Sequence, residues 1–227
     1  MNHLTFLAPA KLNLYLAVTG RLPEGYHQLQ TLFVFTNLAD ELTFKLTPTG
    51  KINLQTSANL AGLNLADNLV YQAAVLLQQK LRQQEAASGL GKQNIGVDIY
   101  LTKRLPLGSG LGGGSSNAAS CLLALNQLWQ LGLSQEELAQ LGLQLGADVP
   151  IFIYGKAAWA TGRGEIFTPA KFTVSSYLLI YRGVACNTGQ LFSQPSLVRN
   201  TPVIEEAELA NTQLGYNAFE PLVRSAY

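Results

Sequence analysis

A glycine-rich stretch that continues directly into an apolar segment constrains this chain more than any other feature. Residues 105–125 have the sequence LPLGSGLGGGSSNAASCLLAL, and glycine occupies five of the first ten positions. Glycine loses more backbone freedom on folding than any other residue, so a loop of this composition is costly to order. The apolar run predicts a helix, and Ser115, Ser116 and Asn117 lie where that helix would begin.

Such a loop is suited to binding a phosphate group. The N-terminus of a helix presents unpaired N–H groups and a partial positive charge, both of which stabilise an anion. Glycine has no Cβ to obstruct the phosphate oxygens, and it tolerates positive φ angles. A flexible hairpin or linker is the alternative, but linkers rarely continue into a strongly apolar helix with serines at its start. We therefore predict that this loop binds phosphate.

The sequence does not match the two commonest phosphate loops well. A Walker A loop ends in Gly-Lys-Ser/Thr, and none of the three Gly-Lys pairs in the chain is followed by Ser or Thr. Gly108, Gly110 and Gly113 satisfy the dinucleotide pattern GxGxxG, which is a weak signal in a loop with so many glycines. Residues 103–107 separate this loop from its strand, and no second βαβ half follows. A Rossmann oxidoreductase is therefore the least favoured alternative.

Composition and charge limit the class of partner. Of the 227 residues, 48% are hydrophobic and 13% are charged, which suffices for one large domain or two small ones. A net charge of +1 argues against nucleic-acid or membrane-surface binding. The chain shows no signal peptide and no apolar run of about 18 residues.

Cys121 and Cys186 are too few for a disulfide framework, which favours a cytoplasmic location. The oligomeric state stays open, with a homo-oligomer among the alternatives.

Hydrophobic periodicity divides the rest of the chain into strands and helices. A helix is predicted from an N-cap at Asp67 through Leu81, and a capping box of Ser134 and Glu137 opens another helix that Gly146 ends. Strands are predicted for the segments LNLYLAVT, LQTLFVF, ELTFKL, NIGVDIYLT, DVPIFIY, KAAWATGRG and SSYLLIYRG. Because this order lacks strict βαβ alternation, we predict an α+β fold.

Three segments together resemble a known family. PLGSGLGGGSSNAA resembles the phosphate-binding motif of the GHMP kinases, which are named for galactose, homoserine, mevalonate and phosphomevalonate. Two more segments, APAKLNLYLAVTGRLPEGYHQLQTLF and LGADVPIFIYGKAAWATGRGE, narrow the resemblance to the branch that acts on diphosphocytidyl methylerythritol in the non-mevalonate isoprenoid pathway. The resemblance extends from about residue 7 to residue 189, and these motifs in this order are a highly specific combination.

The resemblance implies a two-domain α+β GHMP kinase fold. Residues 1–157 are expected to form an ATP-binding domain similar to the second domain of ribosomal protein S5, with a left-handed βαβ crossover. Residues 158–227 are expected to form an incomplete substrate domain. The family has a third glycine-rich segment near its C-terminus, and these 227 residues contain no such segment. The sequence therefore leaves open the alternative of a kinase-like protein that binds nucleotide without turnover.

The resemblance also implies an activity and the residues that perform it. The activity is transfer of the γ-phosphate of ATP, with Mg²⁺, to the tertiary 2-hydroxyl of the methylerythritol unit. Lys11 and Asp148 match the catalytic positions: Asp148 is expected to orient the hydroxyl and accept its proton late, and Lys11 to keep Asp148 ionised and to offset charge on the transferring group. Ser115 is the expected protein contact of the metal.

The remaining matches concern the two substrates. Tyr26 and His27 are expected to hold the cytosine of the alcohol substrate. The substrate-binding positions as a set are Asn13, Tyr26, His27 and Thr188. The ATP-binding positions are Asn68, Pro106, Leu107, Gly108, Ser109, Gly110, Leu111, Gly112, Gly113, Gly114, Ser115 and Ser116.

Overall fold

Two long strands form the N-terminal part of the chain. The computed structural model describes residues 3–57, 64–88, 94–171 and 176–226. Strand β1 spans His3–Arg21 and pairs with β2, which spans His27–Thr47. The predicted strands LQTLFVF and ELTFKL are therefore parts of one continuous strand. The turn between β1 and β2 is closed by a hydrogen bond of 2.8 Å from the Leu22 N–H to the Tyr26 carbonyl, and Gly25 adopts φ 87° within it.

The chain divides into two compact units, each built from three separate segments. Unit 1 comprises Met1–Ala10, Asn37–Leu105 and Gly112–Tyr154, and unit 2 comprises Lys11–Thr36, Pro106–Leu111 and Gly155–Tyr227. Strands β1 and β2 each contribute residues to both units. These units are not the same segments as the two predicted domains, 1–157 and 158–227, which stay a prediction.

Unit 1 contains a βαβ arrangement. Strand β3 (Ile52–Thr56) is followed by helix α1 (Leu69–Ser88) and strand β4 (Gly96–Thr102). Strand β4 pairs in parallel with β3 and antiparallel with residues 41–47 of β2. This combination of helices with parallel and antiparallel pairing bears out the α+β prediction. The handedness of the crossover stays a prediction.

The helices of unit 1 confirm some of the predicted boundaries and correct others. Helix α2 spans Gly113–Leu128, and its apolar residues Ala118, Cys121, Leu122 and Leu125 are buried. Helix α3 spans Gln135–Leu145, with both capping-box bonds present and Gly146 as its C-cap.

The N-cap predicted at Asp67 is wrong. Asp67 ends a short 3₁₀ turn (Leu65–Asp67), and the cap of α1 is Asn68, whose Oδ1 accepts a hydrogen bond of 2.9 Å from the Val70 N–H. An amide oxygen caps a helix as well as a carboxylate does, so sequence alone did not separate the two neighbours. Helix α1 also continues past the predicted end at Leu81 to Ser88.

The predicted strand DVPIFIY is also wrong. Residues Val149–Tyr154 form a short helix, α4, with Val149, Ile151, Phe152 and Ile153 all buried. A short apolar run that is buried on all sides has no periodicity to distinguish a strand from a helical turn. Asp148 directly precedes this helix and lies two residues after Gly146, the C-cap of α3.

Unit 2 combines the first half of β2 with a small hairpin. Strand β5 (Ala158–Thr161) pairs antiparallel with residues 31–33 of β2 and with β6 (Ile166–Pro169), confirming the prediction for KAAWATGRG. Two short helices follow, α5 (Thr188–Ser193) and α6 (Glu220–Ala226). Leu16 and Val18 of β1 pack in a buried cluster with Leu197, Ala218, Phe219 and Leu222.

The strand predicted for SSYLLIYRG is not formed in the described part of that segment. Residues 176–183 are irregular, with Leu178 and Ile180 mostly exposed, and Ser175 lies outside the described residues. Among the helices of the described residues, none is both long enough and apolar enough to cross a membrane.

Candidate functional site

The glycine loop (residues 106–116) ends at the N-terminus of α2, as the sequence predicts. Gly112 is the N-cap residue and adopts the left-handed conformation, with φ 71° and ψ 19°. The first hydrogen bond of the helix runs from the Ser116 N–H to the Gly112 carbonyl at 2.8 Å. The amides of Gly113, Gly114 and Ser115 precede this bond and have no acceptor within the helix. This end of α2 therefore offers N–H groups and a positive dipole end to an anion.

Two further features of the loop suit a ligand rich in oxygen atoms. Gly110 adopts φ 76°, and a Cβ placed on it would have no atom of the described residues within 4 Å. The hydroxyl of Ser116 is buried and has no hydrogen-bond partner among the described residues. Buried polar groups are nearly always paired in native proteins, which makes this hydroxyl a candidate contact of a bound group.

Two other predicted site residues of unit 1, Asn68 and Asp148, lie near this end of α2. A Cβ on Gly114 would lie 3.5 Å from Leu69 Cδ1, so the start of α1, with Asn68, adjoins the loop. A Cβ on Gly146 would lie 3.6 Å from the Ser115 hydroxyl oxygen. Asp148 is two residues further on and is half-buried. Asn68, the end of the glycine loop and the turn that carries Asp148 thus form one neighbourhood.

Sequence reasoning missed a buried carboxylate next to this loop. Asp40, on β2, is fully buried and accepts hydrogen bonds from the backbone N–H groups of Arg104 (2.6 Å) and Leu105 (2.8 Å). It also accepts from Asn117 Nδ2 at 2.9 Å and forms an ion pair with Lys103. Lys103 Nζ lies 3.2 Å from Asn117 Oδ1. We call Asp40, Lys103 and Asn117 the Asp40 cluster.

The Asp40 cluster keeps its carboxylate ionised. Burial raises the pKa of Asp40, but the hydrogen bonds from Leu105, Lys103, Arg104 and Asn117 together outweigh burial and lower the pKa below its usual value. In the sequence, Asp40 directly precedes Glu41, the first residue of the predicted strand ELTFKL, and this acidic pair did not mark Asp40 as a buried residue. Nothing in the sequence indicated its partners, which lie 63 to 77 residues further along the chain.

In unit 2, the first half of the glycine loop is held by backbone contacts. The Leu111 carbonyl accepts a bond of 3.0 Å from the Lys11 N–H, and the Gly108 carbonyl accepts one of 3.0 Å from the Cys186 N–H. A Cβ on Gly108 would lie 2.6 Å from Ala185 Cβ, so no larger residue fits there. The segment around Ala185 and Cys186 was not predicted to contact the loop, because its contacts are made by backbone groups that no side-chain pattern reveals.

Lys11 and Asn13 lie in a row of polar side chains on β1 and β2. Lys11 is 7% exposed, and its Nζ donates to Asn13 Oδ1 at 2.6 Å. Asn13 Nδ2 donates to Thr31 Oγ1 at 2.7 Å, and Thr31 Oγ1 donates to the Tyr15 carbonyl at 2.6 Å. The structure therefore brings Lys11 and Asn13 together and adds Thr31, while the predicted roles of Lys11 and Asn13 stay predictions. Thr31 is the last residue of the segment GYHQLQT, which lies within one of the stretches that carry the family resemblance.

Tyr26 and His27 are adjacent, but each already contacts other side chains. Tyr26 is 52% exposed, and the Arg163 guanidinium lies 3.7 Å from its ring centroid. The His27 ring stacks on Phe192 with centroids 4.7 Å apart. Arg199 Nε donates to His27 Nε2 at 3.1 Å. Arg199 can only donate, so Nε2 must accept and a neutral His27 carries its hydrogen on Nδ1.

The charge state of His27 follows from the same surroundings. Burial lowers the pKa of His27, and the positive charges of Arg21 and Arg199 lower it further. Arg199 is itself fixed by bonds to backbone carbonyls, among them Gln194 at 2.7 Å and Leu197 at 2.9 Å. Sequence reasoning missed Arg199, since it lies 172 residues from His27.

Thr188 is the predicted residue with the least support from geometry. It is exposed and is the first residue of α5, whose N-cap Asn187 accepts a bond of 3.1 Å from the Gln190 N–H. The contacts described for Tyr26 and His27 do not include it. Among the described residues, no group of three or more His, Cys, Asp or Glu side chains could hold a metal ion.

Comparison with known proteins gives relatives that are named as kinases. The family model "GHMP kinases N terminal domain" matches residues 68–156, which include α1, the glycine loop, α2 and Asp148. The chain is 45% identical over all 227 residues to the 4-diphosphocytidyl-2-C-methyl-D-erythritol kinase of Haemophilus ducreyi, covering 76% of that protein. It is 51% identical over 198 residues to the enzyme of the same name from Pseudomonas syringae pv. syringae, covering 87% of this chain and 66% of the relative.

A solved structure agrees with these relatives. The crystal structure of a 4-(cytidine 5'-diphospho)-2C-methyl-D-erythritol kinase aligns with 99% of this chain and 78% of its own, at 33% identity and a TM-score of 0.72. The chain therefore spans between 66% and 78% of the length of these three proteins.

Proposed function

This chain belongs to the 4-diphosphocytidyl-2-C-methyl-D-erythritol kinase family, and from that membership we propose that it is a small-molecule kinase acting in non-mevalonate isoprenoid precursor biosynthesis. It transfers the γ-phosphate of ATP to the 2-hydroxyl of 4-diphosphocytidyl-2-C-methyl-D-erythritol. The observation that carries the proposal is the glycine loop that ends on a left-handed N-cap glycine at the start of α2. The relatives reported above are all named as kinases, which favours this function over nucleotide binding without turnover.

ATP binds through the glycine loop and the residues beside it. The phosphates accept hydrogen bonds from the amides at the start of α2, and the glycines let the oxygens approach the backbone. The buried Ser116 hydroxyl supplies one more donor to an oxygen. Asn68 Oδ1 is used by the helix cap, so its amide nitrogen is the group that contacts the nucleotide.

Mg²⁺ accompanies the nucleotide and neutralises charge on its phosphates when bound. The residues present fit this role, because Mg²⁺ prefers oxygen ligands and usually binds through substrate phosphates and water with only one or two protein groups. Ser115 provides a half-buried hydroxyl at the α2 N-terminus for this purpose. A dedicated cluster of acidic ligands is not needed, and none occurs among the residues that the structure describes.

Asp148 acts on the attacking hydroxyl. A carboxylate is a much weaker base than an alkoxide, so it does not remove the proton early. It orients the hydroxyl by accepting its hydrogen bond and takes the proton late, as charge develops on the transferring group. Lys11 offsets that charge with an ammonium group that is largely withdrawn from water, where its field is screened least.

The alcohol substrate contacts Asn13, Tyr26, His27 and Thr188. Tyr26 offers a half-exposed ring for stacking on the cytosine. His27, with its hydrogen on Nδ1, offers a donor on that atom to an acceptor of the base. Asn13 lies between Lys11 and Thr31, so its orientation is fixed before substrate binds.

A coupled assay of ADP release tests the function directly. The purified 227-residue chain should release ADP from ATP only when the diphosphocytidyl alcohol is present, and mass spectrometry should detect one phosphate added per ADP released. The Asp148→Asn variant serves as the blank for contaminating kinases. ATP binding without phosphorylated product would reject the kinase proposal in favour of binding without turnover. A cytoplasmic location and the oligomeric state are separate proposals, tested by cell fractionation and by light scattering.

A further inference from the structure

The two ends of the glycine loop meet at a single buried carboxylate. Before the loop, the backbone N–H groups of Arg104 and Leu105 donate to Asp40 Oδ1, at 2.6 and 2.8 Å. After the loop, the Asn117 side chain donates to Asp40 Oδ2 at 2.9 Å from the second turn of α2. Asp40 itself is on neither segment, since it lies on β2.

The ammonium of Lys103 completes this arrangement. It forms an ion pair with Asp40 and lies 3.2 Å from Asn117 Oδ1, and its side chain is 8% exposed. A Cβ on Gly113 would lie 3.3 Å from Lys103 Nζ, so the ammonium is directly against the first residue of α2. A larger residue at this position would be in tight contact with the ammonium, which would have to shift by a few tenths of an ångström.

From this geometry we propose that Asp40 is a positioning residue for nucleotide binding, which holds the glycine loop in its phosphate-binding shape by joining both ends of the loop. Asp40 does not contact ATP. Its role rests on the proposed function only in that the ligand of the loop is taken to be ATP.

The energetics favour a carboxylate for this task. Four donors converge on one group, and hydrogen bonds to an ionised acceptor are shorter and stronger than neutral ones. A neutral side chain at position 40 would accept fewer of these bonds and would leave Lys103 buried without its counter-charge. A loop that contains five glycines within ten residues has high conformational freedom, so fixing both ends removes freedom that ATP would otherwise have to remove on binding.

The test must separate positioning from ordinary stabilisation. Asp40→Asn removes the negative charge. Asn117→Ala removes the hydrogen bond from helix α2 to Asp40 and leaves the Asp40–Lys103 ion pair in place. The double variant Asp40→Asn/Lys103→Met removes both charges together. A matched control is Gln30→Leu, since Gln30 is 3% exposed and makes two backbone bonds, both to Ile204. Each variant is measured for its melting temperature, its calorimetric Kd for ATP·Mg²⁺, and the KM of both substrates.

If Asp40 positions the loop, Asp40→Asn and Asn117→Ala should each raise the Kd of ATP by about 10-fold or more, with the KM of the alcohol substrate little changed. The double variant should recover much of the melting temperature, because no charge is left buried alone, yet keep the raised Kd. Gln30→Leu should lower the melting temperature and leave the Kd unchanged.

Two results would overturn the proposal. One is a Kd for ATP that returns to the wild-type value together with the melting temperature in the double variant. The other is an Asn117→Ala variant that binds ATP as the wild type does. If Asp40→Asn alone does not fold, the remaining variants still decide the question. A wild-type chain that binds ATP without phosphorylating the alcohol would reject the proposed function but not the role of Asp40, because the Kd is measured without turnover.

Discussion

The second half of the glycine loop and the turn carrying Tyr26 and His27 are organised in opposite ways. The loop ends at buried groups that are paired with one another through the fully buried Asp40. Tyr26 is half-exposed with Arg163 over its ring, and His27 is stacked on Phe192. The proposed nucleotide side is thus fixed by contacts that a ligand leaves in place. The proposed cytosine side is held by contacts that a ligand has to share or replace.

The largest effect should come from a residue outside both regions. If nucleotide binding belongs to the loop and chemistry to Asp148, Asp148→Asn should lower kcat by about 10² to 10⁴ and leave the Kd of ATP nearly unchanged. Steady-state kinetics and calorimetry on the same preparation measure the two quantities. Near-normal turnover would show that Asp148 does not handle the hydroxyl proton. A raised Kd for ATP would show that Asp148 contributes to nucleotide binding.

A side chain at Gly110 tests the loop itself. Gly110→Val should weaken ATP binding by about 10² or more, because the added atoms occupy open space that the phosphates need. Gly132→Val is the matched control, since Gly132 has φ 67° against 76° for Gly110, and a Cβ on it would likewise meet no atom of the described part of the chain within 4 Å. Both variants introduce similar backbone strain, so their melting temperatures should fall together. Equal loss of ATP binding in both would remove the loop from the nucleotide site.

The cytosine side should show a smaller and more selective effect. Tyr26→Ala should weaken binding of the diphosphocytidyl substrate by about 1–3 kcal/mol, the usual contribution of a ring stacked on a base, without changing ATP binding. Tyr26→Phe keeps the ring and should bind nearly as the wild type does. Calorimetric titration with each ligand checks this. Equal weakening of both ligands by Tyr26→Ala would mean that the ring stabilises the fold and not the substrate.

The smallest effect concerns pH. The pKa of His27 is lowered in the folded chain, so the neutral ring favours folding. Its contribution to the free energy of unfolding is complete above the unfolded pKa of about 6.5 and is lost as pH falls through the lowered folded value. Urea unfolding across that range should therefore show a pH dependence that His27→Gln reduces. A variant of the other histidine, His3→Gln, is the control, and an identical loss in both variants would exclude His27 as its source.

The contrast between the two regions also explains what the sequence could predict. The glycine loop, α2 and the capping box of α3 were predictable, because each is specified by neighbouring residues whose chemistry acts locally. The strand predicted for DVPIFIY was wrong, since a run of five buried apolar residues satisfies a helical turn as well as a strand. The cap of α1 was displaced by one residue, from Asp67 to Asn68, which have equivalent capping groups.

The contacts that no pattern predicted are those between distant segments. Asp40, Thr31 and Arg199 each become informative only through a partner far away in sequence, such as Asn117 for Asp40 and His27 for Arg199. The predicted roles of Lys11 and Asp148 came from motif resemblance and stay predictions. What the structure adds is that the Lys11 ammonium already donates a hydrogen bond to Asn13, in a partly buried row of polar side chains.

The bonds of Asp40 also have a consequence for the order of folding. They close loops of 63 to 77 residues, whereas the helices around them are completed by contacts within a few residues. Closing such a loop costs chain entropy before its contacts are gained, so these bonds are expected to form after the local helices and only once β2 has paired with β4. A nascent chain would then acquire secondary structure well before it could retain a nucleotide. Binding competence would appear late and abruptly, with the long-range pairing of the sheet.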